Sequence, residues 1–152
     1  MKKTKDIKIA IVGSNYHGGI TENLEKNCLK TLLEKGLKKD QITKIRVPGA
    51  LEIPLAVQKL AKKNIYDAII VFGAIHKGKT YHFELIANEC SRACMDISLK
   101  YEVPVVFEVL AAYDIKDALE RATREKGNKG VEGALTALEM IKVLQKIEDE
   151  EV

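Results

Sequence analysis

The sequence has no tryptophan, five tyrosines, three phenylalanines, three prolines and three cysteines in 152 residues. The cysteines, Cys28, Cys90 and Cys94, form no Cys-x-x-Cys pair, and their odd number argues against both a disulfide framework and a structural zinc site. Cys90 and Cys94 are four apart, so on a helix they share a face and read as small buried hydrophobes. No apolar run approaches the roughly 18 residues of a membrane span, and residues 1–8 carry charge without the apolar stretch of a signal peptide. The expected location is therefore cytoplasmic. Neither sign of charge dominates: 25 basic residues face 22 acidic ones, well mixed, for a net charge of +3, which gives little support for a nucleic-acid footprint.

What is present is 46% hydrophobic and 31% charged, with no polar low-complexity tract, so the chain is not a disordered one. Its length fits one domain, residues 1–152, able to bury a core without disulfides or metal. Four short segments rich in Val and Ile, at 8–13, 43–48, 67–73 and 103–110, read as strands. Helical spacing occupies 21–36, 51–63, 80–100, 114–123 and 130–147, the first closing with Lys35 and a C′ glycine at Gly36. This alternation predicts a three-layer α/β/α sandwich of flavodoxin-like type, with a four-stranded parallel sheet and helices on both faces. The unbroken runs IAIV and AIIVF are what a sheet covered on both sides requires.

Ligands of such sheets bind beyond the carboxyl ends of the strands, here residues 14–21, 48–54, 74–82 and 111–114. Tyr16, Tyr81, Phe83, Phe107 and Tyr113 lie in or beside these segments. Scarce flat side chains gathered there fit either a flat ligand or packing beneath loops. The glycines of 13–19 lack G-x-G-x-x-G spacing and read as tight-turn residues. Gly73 to Thr80 formally matches a P-loop, but it follows the third strand, and no strand ends in an Asp to hold magnesium.

His82 falls in the first turn of the third helix, where it can serve as a proton-transfer group or as a surface cap. His17 and His76 occupy neighbouring loops, yet no His-x-His or His-x-x-x-His pair supports a metal site. Residues 121–130 form a basic loop, either a solvated run or a phosphate grip by Arg121 with Lys129 as second cation.

Taken together, Arg46-Val-Pro-Gly-Ala-Leu-Glu-Ile-Pro54, the stretch from Gly73 to Glu84, Val103-Pro-Val-Val-Phe107, Ala118-Leu-Glu-Arg-Ala122 and Gly127-Asn-Lys-Gly130 resemble the lumazine synthase family over about residues 9–144. The resemblance implies condensation of 5-amino-6-(D-ribitylamino)uracil with 3,4-dihydroxy-2-butanone 4-phosphate in riboflavin biosynthesis. It also implies no metal or redox cofactor, and a homopentamer with sites between adjacent subunits. It displaces the P-loop reading of Gly73–Thr80.

Carried over by position, Tyr16 is the aromatic that stacks on the pyrimidine. Ala50, Leu51 and Glu52 line the ribityl pocket, Ala74, Ile75 and His76 flank the heterocycle, and Lys79 and Thr80 belong to the phosphate-binding turn. His82 is the proton-transfer histidine, with Glu132 a candidate orienting partner. From the neighbouring subunit, Phe107 covers the ring, Arg121 binds the departing phosphate and Lys129 reaches the pyrimidine. The chain departs from the family's usual pattern at Asn15, His17, His76, Lys77, Leu51, Glu108 and Glu125. Glu108 stands where glycine is usual, so a weakly active homologue that binds flavin or lumazine, or forms a shell, is the alternative. The short start and the short 124–128 loop pull in opposite directions on an icosahedral shell, which is left open beside the pentamer.

Overall fold

The computed structural model describes residues 2–150 and 152; the predicted 1–152 domain includes Met1 and Glu151, which lie outside the described residues. Four parallel strands, β1 (Ile9–Ser14), β2 (Ile42–Val47), β3 (Ala68–His76) and β4 (Val105–Ala112), form one sheet in the order β2-β1-β3-β4. The helices are α1 (Gly18–Glu34), α2 (Ile53–Ala61), α3 (His82–Tyr101), α4 (Ile115–Thr123) and α5 (Lys129–Glu148). Three short 3-10 turns, Thr4–Asp6, Lys39–Gln41 and Ala50–Glu52, join them. This is the predicted flavodoxin-like α/β architecture.

Burial follows the composition of the strands. The continuous apolar runs are the central strands, where Ile9, Ile11, Ile69, Ile70, Val71 and Phe72 are fully buried. Each such side chain contributes roughly 1.5–3 kcal/mol on leaving water. The mixed strands β2 and β4 are the edges and stay partly exposed. Alternation along β1 sends Ile9 and Ile11 against α1, α4 and α5, whereas Ala10 and Val12 face α2 and α3. Cys28 belongs to the first layer, and Cys90 and Cys94 to the second, all buried and free. No helix among the described residues is long and apolar enough to cross a membrane.

Helix α1 stops as the sequence indicates. Gly36 takes φ +97°, its N–H bonds to Leu33 O, and Leu37 N–H reaches back to Leu32 O, a Schellman closure. Elsewhere the boundaries shift. β3 runs on to His76 because β4 continues beside it through the pairs Ala74↔Leu110, Ile75↔Ala111 and His76↔Ala112. Ala74, Ile75 and His76 are thus strand residues, and no phosphate-wrapping loop begins at Gly73, which removes the P-loop geometry. The expected glycine turn at 13–19 is also corrected: Gly13 lies inside β1, Gly18 and Gly19 open α1, and the left-handed turn residue is His17, φ 55°.

Candidate functional site

Strand order reverses between β1 and β3, and the loops leaving their carboxyl ends enclose a cleft of about 400 Å³. β1 delivers Tyr16, the Ala50–Glu52 turn delivers Ala50, Leu51 and Glu52, and β3 delivers Ala74, Ile75 and His76. α3 contributes His82, its first residue, together with Phe83 and Ile86. Ala50, Ala74 and Ile75 are buried and make an apolar floor, while His76, His82 and Glu52 stand exposed at the rim. Tyr16 is 69% exposed, its ring meeting the edge of His17 at 4.7 Å. Burial, and secondarily the charge of His76, lower the pKa of His17.

A second cleft of about 320 Å³ opens at the end of β4, between α4 and α5. Its walls are residues 109–113 of β4 and the following loop, with Asp117, Ala118 and Arg121 from α4 and Lys129 from α5. Asn128 shapes this region: its side chain accepts from Gly130 N–H and Val131 N–H and donates to Ala122 O and Arg124 O, capping α5 while fastening it to the end of α4. Arg121 Nη1 donates to Asp117 O at 2.9 Å, and Lys129 Nζ pairs with Glu132 Oε2 at 2.6 Å. Half-buried on β4, Glu108 feels this cluster. Desolvation pushes its carboxyl up to about 7, Lys129 pulls it down and Glu132 pushes it further up.

The structure therefore brings together Tyr16, Ala50, Leu51, Glu52, Ala74, Ile75, His76 and His82, and separately Arg121 and Lys129. Lys79 and Thr80 are exposed in the 77–81 loop and line neither cleft. Phe107 also lines neither; it packs half-buried against the α2/α3 layer. Within one chain Glu132 does not orient His82: it pairs with Lys129 on α5, on the opposite face of the sheet from α3, so that role needs a second chain.

Sequence reading did not assign Phe83, Ile86 or Pro48 to the first cleft, nor Tyr113 and Asp117 to the second. For Phe83 and Tyr113 the signal was their place at the strand ends; for Asp117 there was none. A third cavity, about 360 Å³ between Tyr66, Glu102 and Gln145 at the amino edge of the sheet, holds none of the predicted residues. Among the described residues no group of three or more His, Cys, Asp or Glu is placed to hold a metal ion.

A cleft with an apolar floor and a histidine rim beside a basic cleft at a helix start is a geometry open to many small-molecule reactions. The comparison with known families narrows it: the family model described as 6,7-dimethyl-8-ribityllumazine synthase matches residues 6–145, and the chain belongs to that family.

Proposed function

We propose that this chain, acting as one domain in a homopentamer, condenses 5-amino-6-(D-ribitylamino)uracil with 3,4-dihydroxy-2-butanone 4-phosphate to give 6,7-dimethyl-8-ribityllumazine, phosphate and water. The observation that carries the reading is the division of its residues between two clefts framed by helices on opposite faces of the sheet. Neither cleft holds both the proton-transfer histidine and the arginine. A site closed between the first cleft of one chain and the second cleft of its neighbour holds both.

Tyr16 offers a flat face to the pyrimidine, with Ala74, Ile75 and His76 beside the ring and Ala50–Glu52 along the ribityl chain. Lys129 and Phe107 enter from the neighbour. Attack of the 5-amino group on the ketone forms a C–N bond and a carbinolamine, and loss of water gives an imine. Both steps move protons, which His82 at the cleft rim accepts and returns. Removing the proton from the carbon beside the imine forms a C=C enol as the C–O bond to phosphate breaks, and charge builds on the departing group. Arg121 and the N-terminus of α3 meet that charge with guanidinium and backbone N–H groups, and the exposed loop before α3 adds the ammonium of Lys79 and the hydroxyl of Thr80 from outside the clefts. The enol returns to a ketone, the ribityl-bearing nitrogen attacks it within the same adduct, and a second water leaves; holding the two substrates in one geometry for the first C–N bond can alone supply several kcal/mol.

Incubating the assembled protein with both substrates should yield a fluorescent lumazine and inorganic phosphate in step. No product above the uncatalysed rate sinks the reading. Glu108 favours a second reading, a weakly active lumazine- or flavin-binding homologue, because a carboxyl near the Arg121 cleft that ionises around pH 7 opposes phosphate binding. Tight lumazine binding without turnover would select it.

A further inference from the structure

We propose that Arg46 is a positioning residue for Tyr16: anchored on the buried Glu25, its guanidinium holds Asn15 and so sets where the following aromatic stands at the cleft. The parallel register places Arg46 beside Gly13. Only a glycine there leaves the path open, since a Cβ at 13 would overlap Glu25 Oε1 and come within 2.8 Å of Thr21 Cγ2. Arg46 crosses this gap, with Nε donating to Glu25 Oε1 at 2.8 Å and Nη2 to Oε2 at 2.9 Å. Glu25 is only 3% exposed and has a second cation in Lys44 Nζ at 3.6 Å. The remaining fork nitrogen, Nη1, donates to Asn15 Oδ1 at 3.3 Å.

These bonds close a ring of constraints around three residues. Asn15 is tied to Arg46 by its side chain and to Val47 O by its N–H, and Tyr16 N–H bonds to Pro48 O. On the other side His17, in the left-handed region, caps α1, and α1 carries Glu25 back to the same guanidinium. Among the described residues Tyr16 has one ring neighbour, His17, and is otherwise largely in solvent. Its direction is therefore set by the backbone at 15–17, and Arg46 holds one end of that segment through Asn15 and the other through Glu25 and α1. A bidentate arginine does this where a lysine cannot, because two parallel bonds to Glu25 fix the plane in which the third donor points.

The proposal rests on the preceding section only for the role of Tyr16 as the stacking face. A purely structural role, neutralising Glu25, predicts that Asn15 is dispensable. Asn15→Ala leaves the Glu25 pair intact and is tested in the full assembled protein by two readouts: amide hydrogen exchange at Tyr16 and His17, and fluorescence titration with 6,7-dimethyl-8-ribityllumazine. Exchange should quicken and lumazine affinity should fall about fivefold, the scale of one modest hydrogen bond. Asn15→Asp, which keeps the acceptor, should stay within about twofold of the wild type on that same scale. Unchanged exchange, or faster exchange with undiminished binding, overturns the clamp. A wild-type protein that binds no lumazine sinks the functional reading, and exchange at Tyr16 and His17 then judges the clamp alone.

Discussion

The Tyr16 cleft and the Arg121 cleft share the carboxyl edge of one sheet but are made of different parts. The first is floored by buried Ala50, Ala74 and Ile75, with titratable groups only at its rim. The second is formed where α4 ends and α5 begins, and its Arg121 and Lys129 are already bonded to Asp117 O and Glu132. An apolar slot with an aromatic lip suits a flat ring, and a cationic helix junction suits an anion. Under the proposed reaction each cleft takes one half, a heterocycle in the first and a phosphate ester in the second. The helices that build them are on opposite faces of the sheet, so the proposed reaction brings the halves together through a second chain.

The largest effect should come from removing the cation that faces the leaving group. Arg121→Ala should lower turnover about a thousandfold, the scale of losing a principal charge-stabilising donor, and His82→Ala about a hundredfold, both read from lumazine formation. Co-assembling the two inactive variants in equal amounts breaks or confirms the two-chain site. With random mixing, about a quarter of the interfaces combine an intact His82 with an intact Arg121, and about that fraction of activity should return. No recovery in a demonstrably mixed assembly would place both residues in a site served by one chain.

The two clefts were not equally legible in the sequence. Strand identity came through because β1 and β3 are unbroken apolar runs, whereas the placing of β2 and β4 at the edges comes from the pairing in the structure. The second cleft's frame did not come through. Asn128 lies in what reads as a solvated basic loop, and its four bonds depend on Ala122 and Arg124 being folded back beside it. Glu25 likewise carries no signal in the sequence, because its partner Arg46 reaches it only through the β1–β2 register across Gly13. Periodicity reports which face of an element is buried, but not which polar residue on that face will meet a partner from another strand.

Gly13→Ala separates the two regions by stability. An added methyl must displace the Glu25 carboxylate from its place beneath the Arg46 fork, so overpacking should cost about 2 kcal/mol in urea denaturation. The damage is confined to the β1–β2–α1 corner that supports Tyr16. Inorganic phosphate binding at the Arg121 cleft, followed by calorimetry, should hold under native conditions. Equal losses at both clefts would show that the corner supports the whole carboxyl edge and not one side of it.

The smallest effect, and the most diagnostic of the second cleft, is the proton on Glu108. Its carboxyl is pushed from an ordinary 4.5 up to about 7 by burial, with Lys129 opposing and Glu132 assisting. Between those pH values the native chain holds a proton that the unfolded chain releases. The associated stability is therefore full below about pH 4.5 and is lost as pH rises through 7. Glu108→Gln cannot ionise, so it should match the wild type at pH 4.5 and exceed it at pH 8. Because the carboxyl is only half-buried, solvent screening holds the gain to about 1 kcal/mol. Denaturant curves for both proteins across pH 4.5–8 measure the difference in slope directly. Parallel curves would remove Glu108 as the titrating group and leave Lys129 and Glu132 as a self-contained pair, making the Arg121 cleft a site of fixed charge.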